Sequence, residues 1–235
     1  MNENNQNINE NEINETDASL NTDEKKTKEF SLGRELFEWF YTIVIALVLA
    51  FIIKGFLFDI VEVEGPSMFP TLVDGDRLIV QKIGYKPTNG DIVILDSTYS
   101  NRTAYYEKNA ASEGKEVNWL YKALNYHSLP ENLKSKYYVK RIIASEGQTV
   151  DIQGGKVYVD GQLLDEPYYD GITKITDTTV DYPVTVEEGY VFVMGDNRPQ
   201  SLDSRSSSLG QVSVDAVIGS SIFRIWPFNE IGTTD

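Results

Sequence analysis

The character of this 235-residue chain changes sharply along its length. Residues 1–29 are rich in Asn and Glu and contain few apolar side chains, a composition that predicts a disordered tail. An uncharged apolar run then extends from Trp39 to Ile53 and continues, after Lys54, to Phe58. Beyond this run, short apolar or alternating stretches are separated by Gly, Pro and Asp, which is typical of β-strands joined by turns.

The apolar run predicts a membrane-spanning helix. Counted over residues 39–58, with Lys54 at its edge, it reaches the roughly 20 residues that cross a bilayer. Basic residues precede it and acidic residues follow it, so the positive-inside rule places the N-terminus in the cytoplasm. A buried core helix is one alternative. A cleaved secretory signal is another, but the long acidic tail and the missing cleavage site after Ile53 argue against it.

These patterns divide the chain into three parts. We expect a cytoplasmic tail at 1–29, a juxtamembrane and transmembrane helix at 30–58, and an extracytoplasmic, mainly β domain at 59–235. The protein would then be a single-pass protein of the cell membrane. An insert at about 97–136 interrupts the β pattern and contains one predicted helix, Trp119–Leu124. The predicted strands are Ile60–Glu64, Arg77–Val80, Asp91–Leu95, Tyr137–Ile143, Val150–Gln153, Lys156–Val159, Gly189–Met194 and Val217–Ile225.

Composition excludes several kinds of chemistry. The net charge of −15 leaves no basic surface for nucleic acid. The chain has no cysteine, which excludes disulfides, thiol catalysis and thiolate zinc sites. Its single histidine, His127, cannot form a multi-histidine metal site, so we expect no metal and no cofactor. Few residue types are left that could act as a base.

Ser67 is the best candidate nucleophile. In Gly65-Pro-Ser-Met-Phe-Pro-Thr-Leu72, two prolines flank the serine and a glycine precedes it, which predicts a rigid, non-helical presentation of the hydroxyl. An ordinary tight turn is the alternative. No glycine follows Ser67 at the spacing of a nucleophile elbow. A serine hydroxyl needs a base, and His127, in the charged insert, is expected to be a surface residue.

Lys140 is the best candidate base. It lies in Tyr137-Tyr-Val-Lys-Arg-Ile-Ile143, whose two strand faces are both largely apolar, so we expect the lysine to be buried. Burial lowers the pKa of a lysine, as a general base near neutral pH requires. A lysine at a strand edge that reaches solvent is the alternative. Ser112-Glu-Gly-Lys115 also fits S-x-x-K, but the partner motifs of that class are absent.

A third cluster, Gly195-Asp-Asn-Arg-Pro-Gln-Ser-Leu-Asp-Ser-Arg205, follows an apolar strand and interleaves acidic and basic residues. Five motifs follow one another along the chain. They are the Ser67 motif, Gly75-Asp76, Gly90-Asp-Ile-Val-Ile94, the Lys140 motif and this cluster. In this order the motifs resemble the bacterial type I signal peptidases, membrane-bound Ser/Lys proteases that remove signal peptides from exported proteins. The resemblance covers about residues 34–232.

The resemblance implies roles for individual residues. Ser67 matches the nucleophile, Lys140 the general base and Ser201 the serine that orients the lysine. The oxyanion hole would use the backbone N–H of Ser67, with Gly65 as a further candidate. Some relatives have a serine hydroxyl at the position of Gly65, and glycine lacks that donor.

Further residues match the family's supporting positions. Charges expected to brace the site by ion pairing are Asp196, Asp203, Arg205 and Arg141. Positions expected to line the small substrate pockets are Val63, Met68, Leu72, Tyr138 and Val139. One departure is Ile142-Ile-Ala-Ser-Glu-Gly-Gln148, where the family usually reads Val-Ile-Gly-x-Pro-Gly-Asp.

The resemblance also implies partners. They are preprotein signal peptides with Ala-x-Ala-like ends, the lipid bilayer and the secretion translocon, with no nucleic acid. Two alternatives remain open. One is a self-cleaving regulator of the same Ser/Lys fold, and the other is a membrane-tethered surface module without catalysis.

Overall fold

The computed structural model describes residues 32–53 and 57–234. The chain divides into two units, one up to Leu47 and the other from Val48 onward. The predicted tail at 1–29 lies outside the described residues, and so do residues 54–56 within the predicted membrane span.

Helix α1 spans Leu32–Ile52 and contains most of the apolar run. Its large apolar side chains are exposed, as at Phe37 and Trp39. None of the helices in residues 32–53 and 57–234 has both the length and the apolar character that a membrane crossing requires. The predicted span at 39–58 includes residues 54–56, which lie outside the described residues, and it stays a prediction.

From residue 58 onward the chain is mainly β, as predicted. Seven strands form an antiparallel sheet in the order β1-β2-β11-β3-β4-β9-β10, and four form a second antiparallel sheet in the order β7-β6-β5-β8. The strands are β1 Phe58–Glu62, β2 Arg77–Gln81, β3 Ile92–Asp96, β4 Tyr137–Ser145, β5 Thr149–Gln153, β6 Lys156–Val159, β7 Gln162–Leu163, β8 Val184–Thr185, β9 Tyr190–Met194, β10 Val212–Ser213 and β11 Val217–Trp226.

The insert between β3 and β4 contains two helices, α2 Tyr99–Glu113 and α3 Trp119–Asn125. The sequence predicted α3 but not α2. The sequence of α2 shows little apolar periodicity, because this helix buries only Tyr106 and Ala110. Asn118 caps α3 by accepting a hydrogen bond from the Tyr121 N–H. The insert has its own small core, formed by Tyr106, Ala110, Tyr121 and Leu129.

Strand pairing leaves one edge of β4 open. Strand β3 pairs with β4 from Tyr137 to Arg141, with Val93 opposite Lys140. On the other side of β4, pairing with β9 begins only at Arg141, opposite Met194. The first half of β4, which carries Tyr138 and Lys140, is thus paired on one side only. A strand edge without a paired neighbour is one to which an extended peptide can add.

Candidate active site

The Ser67 segment forms a turn over a hydrophobic cluster. Gly65 begins it with φ of 80°, a conformation in which a Cβ atom would be strained. The Phe69 N–H donates to the Pro66 carbonyl at 3.1 Å, and the Leu72 N–H donates to the Met68 carbonyl at 3.0 Å. The side chains of Met68 and Leu72 are completely buried below. The turn is therefore fixed from beneath while the Ser67 side chain stays partly exposed.

Ser67 and Lys140 are in contact although 73 positions separate them in the sequence. The Nζ atom of Lys140 lies 2.9 Å from the Ser67 Oγ and also donates to the Val139 carbonyl at 2.8 Å. The lysine is 3% exposed, as its apolar strand predicted. Its Nζ also lies 5.2 Å from the centre of the Tyr138 ring. The candidate nucleophile and the candidate base are thus within the distance that direct proton transfer requires.

Burial lowers the pKa of Lys140 to about 8, whereas the carboxylates of Asp203 and Asp196 act to raise it. Desolvation exceeds their attraction because the ammonium loses most of its contact with water. A meaningful fraction of the amine is therefore neutral near physiological pH. Only this neutral form can accept a proton from Ser67.

The two candidate oxyanion donors differ in availability. Among the described residues, none accepts a hydrogen bond from the Ser67 backbone N–H. The Gly65 N–H already donates to Oδ1 of Asp74 at 2.7 Å. The suggestion of Gly65 as an oxyanion donor is therefore corrected, because its one donor is occupied. Its left-handed backbone shapes the turn instead.

Ser201 lies beside the nucleophile turn but forms no hydrogen bond to the lysine. Its Oγ is buried and forms no hydrogen bond within the described part of the chain, so the expected bond to Lys140 is not observed. Gly195 occupies the adjacent space: a Cβ added there would collide with the Ser201 Oγ and lie 2.5 Å from the Ser67 carbonyl oxygen. Glycine at 195 thus allows close packing of the third cluster on the nucleophile turn.

Asn197 ties the third cluster to the nucleophile turn at two points. Its backbone N–H donates to the Ser67 carbonyl at 3.0 Å, and its side-chain amide donates to the Pro66 carbonyl at 2.9 Å. These bonds fix the backbone on both sides of the Ser67 hydroxyl. The sequence placed Asn197 in the right cluster but gave no indication of this role.

Arg141 and Asp196 form a buried bidentate ion pair. Nε and Nη2 of Arg141 donate to the two carboxylate oxygens of Asp196 at 2.9 and 2.8 Å. Asp196 also accepts a hydrogen bond from the Thr71 hydroxyl at 2.5 Å, and Arg141 donates to the Gly90 carbonyl at 2.8 Å. The pair therefore joins the residue next to Lys140 to the end of the nucleophile turn.

Asp203 and Arg205 form a second buried pair. Nε and Nη2 of Arg205 donate to the carboxylate oxygens of Asp203 at 2.8 and 2.9 Å, and both side chains are 1% exposed. Asp203 also accepts the Gly195 N–H at 3.0 Å. The carboxylate thus holds Gly195 where it packs against Ser67.

The five expected pocket residues fall into two groups. Val63, Met68 and Leu72 are buried in the cluster beneath the turn, together with strand residues of β2 and β3. Tyr138 and Val139 remain partly exposed on the open half of β4. Val139 packs against the cluster that contains Val63, Met68 and Leu72, whereas Tyr138 packs against a different cluster, which contains Val93, Leu95 and Ile142.

Other positions clarify what the sequence could and could not identify. His127 is exposed in the insert, as expected. Glu166 and Tyr168 were missed: they lie in an irregular loop after β7 and contact the buried guanidinium groups of Arg198 and Arg141. No pattern in that loop indicated such contacts. Across residues 32–53 and 57–234, no cluster of three or more acidic or histidine side chains could hold a metal ion.

The sequence of the chain is similar to those of known proteins. Residues 36–226 match the family described as signal peptidase, peptidase S26. The chain belongs to this family. The family resemblance drawn from the motifs is thereby confirmed.

Among the relatives of the chain is signal peptidase I of Bacillus licheniformis, 39% identical over 223 residues that cover 91% of this chain and 100% of the relative. Signal peptidase I T of Bacillus subtilis strain 168 is 36% identical over 223 residues, covering 91% and 97%. A crystal structure of a signal peptidase I from Enterococcus faecalis V583 aligns with 58% of this chain and 97% of its own, at 24% identity and a TM-score of 0.37.

Proposed function

We propose that this chain is a signal peptidase I, an endopeptidase that removes signal peptides through a Ser67 acyl-enzyme with Lys140 as general base. The observation that carries the proposal is the 2.9 Å contact between the Ser67 Oγ and the Lys140 Nζ, in a chain of the signal peptidase family. The lowered pKa of Lys140, about 8, supports the assignment of the base.

The reaction is an acyl transfer in two halves. Neutral Lys140 accepts the proton of Ser67 as Oγ attacks the scissile carbonyl, and the Ser67 N–H donates to the developing oxyanion. The C–N bond then breaks, and the Lys140 ammonium gives its proton to the leaving amine. In the second half, Lys140 takes a proton from water, whose oxygen attacks the ester, and the carboxylic acid leaves as Ser67 regains a proton. The Arg141–Asp196 and Asp203–Arg205 pairs position these groups.

The substrate proposed is the end of a signal peptide with small Ala-x-Ala-like residues. An extended peptide could pair with the open half of β4, next to Tyr138 and Val139. Its small side chains would point toward the shallow space above Val63, Met68 and Leu72, which core packing leaves little room to enlarge. Bulky residues at these positions would be excluded.

The test uses purified full-length protein and a labelled preprotein whose signal peptide ends in Ala-x-Ala. We expect a single cut after the last alanine, identified by the mass of the mature product. A matched preprotein with Phe in place of that alanine should remain uncut. Absence of cleavage in both would favour a tethered module without catalysis. Cleavage only of the enzyme's own chain would favour the self-cleaving regulator.

We also propose that a single membrane-spanning helix in the apolar run that begins at Trp39 anchors the domain on the extracytoplasmic face of the cell membrane. The predicted span of 39–58 is shortened at its end, because Phe58 is the first residue of strand β1. Support comes from the uncharged run Trp39–Ile53 and from the basic residues before it. The proposed span extends past the described end of α1 through residues 54–56. The bilayer would be one partner and the secretion translocon a second, because substrates emerge there.

Protease treatment of intact protoplasts tests this topology. We expect external protease to digest the domain at 59–235 while antibodies to the 1–29 tail still detect a protected fragment. The control is the same treatment after the cells are lysed, which should remove both signals. A protected domain together with a digested tail would contradict the proposed orientation.

A further inference from the structure

The side chains of Arg141, Arg198 and Arg205 are buried near the dyad, and one loop supplies partners to all three. The loop at 166–174 lies between β7 and β8 of the small sheet. Glu166 pairs with Arg198, and both side chains are almost completely buried. The Thr173 hydroxyl accepts from Nη1 of Arg198 at 2.8 Å, and the Lys174 carbonyl accepts from Nη1 of Arg205 at 3.2 Å.

Two tyrosines of the same loop contact the arginines through their ring faces. The Tyr168 ring centre lies 4.2 Å from Cζ of Arg141 and 6.0 Å from Cζ of Arg198. The Tyr169 ring centre lies 5.2 Å from Cζ of Arg198. A guanidinium stacked on an aromatic ring is held in place and shielded from water.

The arginines in turn fix the residues that pack on Ser67. Nε of Arg198 donates to the Gly195 carbonyl at 3.1 Å, and Arg141 binds both oxygens of Asp196. Gly195 lies against the Ser67 carbonyl, and Arg141 follows Lys140 directly on β4. Contacts therefore run without a break from the loop of the small sheet to both members of the dyad.

We propose that Tyr168 and Glu166 are positioning residues of the dyad, acting through Arg141 and Arg198 to hold Lys140 and Ser67 in a dry, fixed arrangement. The inference rests on the proposed function. It assigns the small sheet a part in catalysis, because its loop covers the polar side of the site. The Tyr168 hydroxyl forms no hydrogen bond to the residues described here, so the ring face carries the contact.

The charges around Lys140 give this role a distinctive signature. Lys140 is faced by the carboxylates of Asp196 and Asp203, by their partners Arg141 and Arg205, and by the Tyr138 ring. Removing the Tyr168 ring admits water to this dry site. Water relieves part of the desolvation that lowers the pKa of Lys140, so the ammonium form is favoured and the pKa rises.

The experiment measures kcat, KM and their pH dependence on a signal-peptide substrate for Tyr168→Leu and Tyr168→Phe. We expect Tyr168→Leu to lower kcat about tenfold near neutral pH with little change in KM. Much of this loss should be restored at alkaline pH. The conservative Tyr168→Phe, which keeps the ring, should stay within about twofold of the wild type. Tyr158→Leu, on β6 of the same small sheet, is the matched control and should change neither kcat nor the pH profile.

Glu166→Gln provides a second route if Tyr168→Leu does not fold. We expect a lower kcat at unchanged KM, whereas the neighbouring exposed Asp165→Asn should behave as the wild type. Wild-type-like kcat and pH profile in Tyr168→Leu, or in Glu166→Gln where it is the folded variant, would overturn the inference. A wild-type enzyme that cuts no preprotein would instead contradict the proposed function, so the two failures are distinguishable.

Discussion

Replacement of Lys140 by Met is expected to reduce cleavage about ten-thousandfold or more, and Ser67→Ala is expected to do the same. Methionine is one heavy atom shorter than lysine but keeps an unbranched apolar stem, so β4 should fold as before. The loss arises because the 2.9 Å contact between the two side chains is the only route for the serine proton to a base in the described site. The double variant should be no less active than either single variant, because nucleophile and base act as a unit.

The wild-type pH profile completes this prediction. Since the neutral amine is the base and burial lowers its pKa to about 8, kcat/KM should rise with pH through about 8 and level off above it. Lys156→Met removes an exposed strand lysine and is the matched control, expected to leave rate and profile unchanged. His127→Ala should also leave the rate and the pH profile unchanged. A limb near the ordinary lysine pKa of about 10.4, or substantial activity in Lys140→Met, would contradict the assignment.

The parts of the site that the sequence predicted are those with strong local signals. The two prolines around Ser67 restrict the backbone directly, and the apolar strand around Lys140 requires burial on both faces. Strands β2, β5 and β6 were located closely because a turn residue bounds each of them. The mainly β domain could therefore be derived from short apolar or alternating stretches and the turn residues between them, and the family resemblance supplied the pairing of Ser67 with Lys140.

The parts that could not be predicted depend on contacts between distant segments. Glu166 is 32 positions from Arg198, and nothing near either residue specifies the other. Strands β8 and β10 contain two residues each, too few for an alternating pattern. Helix α2 buries so little apolar surface that its periodicity is weak. Ser201 shows the converse: its motif was recognised, yet the structure leaves its hydroxyl without a hydrogen bond among the described residues.

Replacement of Asp203 by Asn is expected to lower the free energy of unfolding by about 3–5 kcal/mol, because it leaves the buried Arg205 guanidinium without a counter-charge. It also weakens the acceptor for the Gly195 N–H. Chemical denaturation measures this loss. The matched control is Glu62→Gln, which removes one partner of the Arg77–Glu62 pair, whose side chains are both 55% exposed. Because water screens that pair, its loss should cost about 1 kcal/mol or less.

The same variant tests the electrostatics of the dyad. The Asp203 carboxylate raises the pKa of Lys140, so its removal should favour the neutral amine and move the activity limb below the wild-type position near 8. This direction is opposite to that expected for Tyr168→Leu, which admits water. Loss of folded enzyme alone would lower the rate at every pH without moving the limb. A limb that stays in place or moves upward in folded Asp203→Asn would show that Asp203 does not set the charge balance at Lys140.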